Sequence, residues 1–161
     1  TMNYTATTIY VGDNAQDKQY RSILSFNTAA LPDNAVITKV QLRIRQQGIT
    51  GQNPFLTHGG LSFDIRKGNF HTSAALQLPD FQSAASLNLA GTFPIVPNGG
   101  WYTVTLSSTA RRYINRSGYT QFRLRFNLDD NDDSGADALI LFSGNAAAGY
   151  RPQLLISYRM P

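Results

Sequence analysis

At 161 residues, 42% of them hydrophobic, the chain is long enough to bury one full core without staples, and one domain over residues 1–161 is expected. It has no cysteine, which excludes disulfides, thiolate metal sites and a cysteine nucleophile, and no apolar run near the ~18 residues of a membrane span. The net charge of +4 comes from eleven Arg and three Lys against ten Asp and no Glu; the basic residues form neither a dense run nor a nucleic-acid-binding motif, so nucleic acid and membrane are not the expected partners.

The dominant period along the chain is two. Thr7 to Val11 and Arg21 to Phe26 are the first strand candidates. Val40-Gln41-Leu42-Arg43-Ile44-Arg45 then alternates strictly between apolar and polar. So do Leu61-Ser62-Phe63-Asp64-Ile65-Arg66 and Phe122-Arg123-Leu124-Arg125-Phe126-Asn127. Strict alternation marks strands that are buried on one face only. Trp101 to Leu106, Ala138 to Phe142 and Gln153 to Tyr158 complete the set. Turn signals between these strands predict an all-β fold, an antiparallel β-sandwich of jelly-roll type. One short helix is expected over Thr109 to Asn115, capped by Ser107 or Ser108 and stopped by Gly118. Gly48 to Gly60 and Gly68 to Gly100 read as long loops, the second holding short strands around Leu87 and Phe93.

If Val40, Leu42 and Ile44 face the core, Arg43 and Arg45 face away from it. By the same logic Asp64, Arg66, Arg123 and Arg125 face outward. Arginine's planar fork binds carboxylates bidentately. A face lined by these residues would therefore suit an acidic sugar chain; surface residues that only keep the protein soluble would show the same pattern. Trp101 sits at a loop-to-strand junction after Asn98-Gly99-Gly100 and could stack on a pyranose, as could Tyr10, Tyr20, Tyr102, Tyr113, Tyr119 and Tyr150.

Catalysis finds little support. His58 and His71 both fall in loops, and no nucleophile-elbow, metalloprotease or phosphate-loop motif is present. A triad of Asp80, His71 and a serine can be drawn, as it can in any chain of this length. The expected protein is not an enzyme.

Half of the ten acidic residues crowd into Asn127 to Asp137, as Asp129, Asp130, Asp132, Asp133 and Asp137. Such a loop repels itself unless something neutralises it. Asp130-Asn131-Asp132-Asp133-Ser134-Gly135 fits the opening half of an EF-hand-type calcium loop, with oxygens at positions 1, 3 and 5 and Gly at 6. Leu141 stands where the closing glutamate would be, so Asp137, a backbone carbonyl, or Asp13 and Asp17 would have to complete a calcium shell. The competing reading is a solvated turn.

Arg21-Ser22-Ile23-Leu24-Ser25-Phe26, the Leu31-Pro32 turn and Ala35 to Ile44 resemble the opening of DNRLRE-type domains, a family related to carbohydrate-binding module family 96. Ser25 stands where that family often has arginine. TQFRLRFNLDDNDDSGADALILFSGN and the final Arg151-Pro152-Gln153-Leu154 to Tyr158 are similar to its closing segment. The resemblance covers both ends, about half of the chain, and leaves Gly48 to Gly100 unmatched. It implies a non-catalytic extracellular or cell-surface module appended to larger proteins, some relatives of which bind acidic polysaccharides. The leading expectation is a polysaccharide-binding module with a structural calcium ion. The alternative is a stalk or fibre subunit that self-assembles by strand exchange, with TMNYTATT as donor.

Overall fold

The computed structural model of the protein describes residues 2–161. Ten strands run in the order β1 (Thr8–Asp13), β2 (Gln19–Tyr20), β3 (Ser22–Asn27), β4 (Val36–Thr50), β5 (Leu61–Lys67), β6 (Leu87–Thr92), β7 (Trp101–Thr105), β8 (Tyr119–Phe126), β9 (Ala138–Phe142) and β10 (Gln153–Arg159). The larger sheet has the order β10-β4-β9-β1-β2, with β7 also paired to β4; the smaller is β3-β8-β5-β6. Every pairing of these strands is antiparallel. This is the β-sandwich that the alternating patterns predict.

The inner faces meet where the alternation placed them. Val40, Leu42, Ile44, Leu139 and Leu141 from one sheet pack with Leu61, Phe63, Ile65, Phe122 and Leu124 from the other in one continuous core. Phe63 sets its ring edge-on to Phe122 and Phe93, at 5.6 Å and 5.8 Å between centroids, a favoured aromatic geometry.

β4 is longer than its alternating segment suggests. Its first part pairs with β10 and β7, and beyond an irregularity between Gln46 and Gly48 the same strand pairs with β9. The bulge breaks the period of two, which is why the sequence pattern stops at Arg45.

Two other expectations change. Ala110–Tyr113 is a single 3-10 turn rather than a helix to Asn115, although Ser107 Oγ does accept the Ala110 amide at 3.1 Å. The α-helical turn is α1 (Pro54–Thr57), inside the first expected loop. Asn53 caps it by accepting the Phe55 amide at 3.1 Å, and Pro54 occupies its first turn, where no amide is needed. α1 drives Phe55 onto Tyr102 and Phe126, with centroids 5.4 Å and 5.2 Å apart, and so plugs one end of the sandwich.

Candidate functional site

The expected single arginine face divides in two, because β4 belongs to one sheet while β5 and β8 belong to the other. The two outer faces have different fates.

On the smaller sheet, Asp64 lies opposite Arg123. Asp64 is fully buried and Arg123 is 4% exposed, because the segment between β5 and β6 lies over them. Arg123 Nη2 sits 2.8 Å from Asp64 Oδ2, and its Nη1 donates to the carbonyls of Asp80 (3.1 Å) and Ser83 (2.7 Å). Its guanidinium also lies 4.7 Å from the centre of the Phe70 ring. Arg125 grips both oxygens of Asp64 at 3.1 Å, and the Leu89 amide donates to Oδ1 at 2.8 Å. Arg66 donates to the Asn69 carbonyl at 3.2 Å. Burial alone would raise the Asp64 carboxyl, but the hydrogen bonds from Arg125, Leu89 and Arg123 outweigh it and hold the group below the usual carboxylate range. Asp64, Arg66, Arg123 and Arg125 are therefore loop fasteners, not an open sugar-binding face. Alternation shows that a side chain points away from the core; it does not show that another segment covers it.

On the outer face of the larger sheet, around β4, β7 and β9, Arg43, Arg45, Trp101 and Phe142 are half-buried and Tyr150 is exposed. Arg45 lies opposite Trp101, and Arg43 lies between Thr103 and Gln153. The Arg43 guanidinium sits 4.5 Å from the Trp101 ring centre, and Arg45 sits 5.6 Å from Trp101 and 4.5 Å from Tyr150. Tyr150 in turn stacks on Phe142 with centroids 4.8 Å apart. The result is a row of alternating rings and guanidiniums: Arg43, Trp101, Arg45, Tyr150, Phe142. Arg43 is held further by Gln153 Oε1 at 2.9 Å and Thr103 Oγ1 at 3.3 Å. Among the described residues neither Arg43 nor Arg45 has a carboxylate within salt-bridge distance.

Local turn chemistry sets this row. Gly99 and Gly100 both take positive φ (57° and 86°), closing a tight turn in which Asn98 and Trp101 exchange backbone hydrogen bonds. The Gly100 carbonyl then accepts the Gln46 amide at 2.8 Å, which fixes Trp101 beside Arg45. Tyr150 reaches the row from a 3-10 turn, Ala148–Tyr150, just before β10. Further along the face Tyr10 lies opposite Ile140 and packs 5.6 Å from Tyr20, extending the aromatic surface to β2.

The acidic loop is organised differently from an EF-hand. Asp129 turns away to Gln19 (2.7 Å) and Arg21 (3.7 Å). Asp130 Oδ1 accepts the Asp132 amide at 3.2 Å, and the Asp130 carboxylate pushes the Asp132 carboxyl up through a shared hydrogen bond and like charge. Among the described residues no three Asp or His side chains gather as ligands for one ion, so the spacing of Asp130, Asp132 and Ser134 does not yield its expected ligand set. A smaller convergence exists instead. Asp133 Oδ2 and Asp137 Oδ2 both aim at the side-chain amide of Asn131, at 3.1 Å and 3.0 Å, while Asn131 Oδ1 is buried without a partner.

Asp13, expected as a helper ligand, is fully buried and bonded to His58 Nε2 at 2.9 Å. It also accepts the Asp137 amide at 3.0 Å, so this pair pins the acidic loop to β1 and α1. Residues 45 positions apart leave no local signal for such a pair. The drawn triad does not form among the described residues: His71 is exposed, and Asp80 accepts the Gln77 amide at 2.8 Å, capping its own 3-10 turn.

No family model matches the chain, and no curated protein matches it.

Proposed function

We propose that this β-sandwich is a non-catalytic extracellular module that binds an acidic polysaccharide on the outer face of its larger sheet. The observation that carries the reading is the row Arg43, Trp101, Arg45, Tyr150, Phe142. Rings that lie along a sheet face offer flat apolar platforms for sugar C–H groups. Guanidiniums held between them add fork-shaped donors for carboxylates, pre-ordered so that little side-chain entropy is lost on binding. The resemblance of both chain ends to DNRLRE-type domains supports the extracellular setting.

Trp101→Ala is expected to weaken binding to polygalacturonate roughly tenfold or more, as loss of a central aromatic anchor does. Titration calorimetry checks this, with Lys67→Ala on the other sheet as a variant that binds normally. Equal affinity of the Trp101→Ala and parent proteins would remove the row from the account.

A structural calcium ion is the second element of the reading. Asp133 and Asp137 would hold it, with the Asn131 amide turned over so that its oxygen replaces the NH2 group between them, and its charge would relieve the repulsion that Asp130 and Asp132 impose on each other. Calcium at ~100 Kd is then expected to add about 2.7 kcal/mol to stability, or roughly 5–10 °C in the unfolding midpoint for a domain of this size. A midpoint that is the same in calcium and in excess chelator would leave the loop a self-closed turn.

A second reading, a fibre subunit, draws on the free edge of β10, where Leu155 and Tyr158 are exposed. The proposed donor is less available. Thr1 lies outside the described residues, the Tyr4 and Ala6 carbonyls are held by Asn145, and β1 is already paired with β9 and β2. Sedimentation that shows only monomer at high concentration counts against assembly.

A further inference from the structure

At the end of the sandwich where β4 begins lies a groove of about 450 Å³, lined by Arg111, Arg112, Arg116 and Ser108, with Val36 and Ile37 as apolar walls. Val36 and Arg45 are nine residues apart on β4, which puts this groove roughly 30 Å from the Trp101 row. The two surfaces are separate.

The groove is rigidly built. Ala110 and Ile114 are buried in the core and anchor the 3-10 turn that carries Arg111 and Arg112. Arg111 Nη1 donates to the Thr38 carbonyl and Arg116 Nη2 to the Ala35 carbonyl, both at 2.8 Å, which fixes two guanidiniums against the start of β4. Two features are left unexplained by packing. First, among the described residues none of the three arginines has a carboxylate within salt-bridge distance. Three uncompensated like charges around one concavity repel one another and focus a positive field into it. Second, Arg116 Nε is buried with no hydrogen-bond partner, although buried polar groups in native folds are nearly always satisfied.

We infer that this groove is an oxyanion site for a phosphate or sulfate monoester. A carboxylate is satisfied by one bidentate arginine. Three guanidiniums lining one groove suit a group with three terminal oxygens. The groove is larger than the anion alone, and its Val36 and Ile37 walls would take the organic part of the ester, such as a sugar ring.

The test is a backbone-amide NMR titration of the whole chain with glucose 6-phosphate, glucose 6-sulfate, inorganic phosphate and unmodified glucose, at constant ionic strength set with chloride. The expected result is saturable shifts confined to residues 35–38 and 108–116 with one or both esters, tighter than with inorganic phosphate and absent with glucose. Comparing the two esters tells phosphate from sulfate. Arg112→Gln removes an exposed side chain that makes no hydrogen bond in the fold, and is expected to weaken binding at least tenfold while leaving the remaining spectrum in place. Lys67→Gln is expected to leave the titration unchanged. Shifts that rise linearly without saturation, that spread over arginines across both sheets, or that survive in Arg112→Gln overturn the assignment.

Discussion

Asp64→Asn is expected to destabilise the protein by about 3–5 kcal/mol, the usual consequence of removing one partner of a buried ion pair. The substitution keeps the size of the side chain and an oxygen for the Leu89 amide, but it leaves Arg123 and Arg125 without their shared counter-charge. Arg123 cannot recover by reaching water, since it is 4% exposed and its remaining donors are committed to the Asp80 and Ser83 carbonyls. Against a typical domain stability of ~5–15 kcal/mol the loss is large. Loosening of residues 68–86 over the smaller sheet should accompany it. Urea unfolding at neutral pH measures the effect. The same carboxyl sets a pH dependence. Its folded pKa is depressed, so its stabilisation is complete above the unfolded value near ~3.9 and is lost as pH falls toward the lower folded value. The parent protein should therefore lose stability below about pH 4, and Asp64→Asn should lack that portion of the acid-induced loss.

Gly12→Ala is expected to cost at least ~4 kcal/mol, in the range reserved for backbone strain and steric conflict. Gly12 has φ of 134°, a conformation closed to residues with a side chain, and an added Cβ would stand 2.1 Å from the Asp137 carbonyl oxygen. Neither neighbour can step aside, because Gly12 is paired with Tyr20 on one side and Ala138 on the other. The next residue, Asp13, holds His58 and the Asp137 amide, so the acidic loop should be displaced as well. Gly144→Ala, with open space around its Cβ and an ordinary φ, is expected to stay within about 0.5 kcal/mol of the parent. Unfolding curves for the two variants make the comparison. Similar stabilities would mean that β1 can shift against β9.

The strands were legible in the sequence because alternation directly encodes which side chains enter a two-layer core. It placed Leu42, Ile44, Phe63, Ile65, Phe122 and Leu124 correctly. It could not show which sheet each strand joins, and so Arg43 and Arg45 appeared to share a face with Arg123 and Arg125. Sheet membership is set by long-range pairing, such as β4 with β9, which no local pattern records. Trp101 and Tyr150 were legible as candidate platforms from residue type. Their union with Arg43, Arg45 and Phe142 depends on the turn at Gly99 and Gly100 and on the path into β10. The acidic loop was legible as a charge anomaly, but its hydrogen bonds to Gln19 and Gln52 and its ion pair with Arg21 come from distant segments and redirect the carboxylates away from a local EF-hand geometry.

The proposed ligand of the larger sheet's outer face is an acidic sugar chain. The most direct measurement is an NMR titration with galacturonate oligomers beside neutral oligomers of the same length, following the Trp101 indole N–H and the Arg43 and Arg45 Nε–H resonances. The account predicts saturable shifts at these three groups and at Tyr150 with the acidic oligomers, with much weaker response to the neutral ones. Shifts that are absent there, or that centre on Arg66 and Arg125 across the smaller sheet, would contradict it.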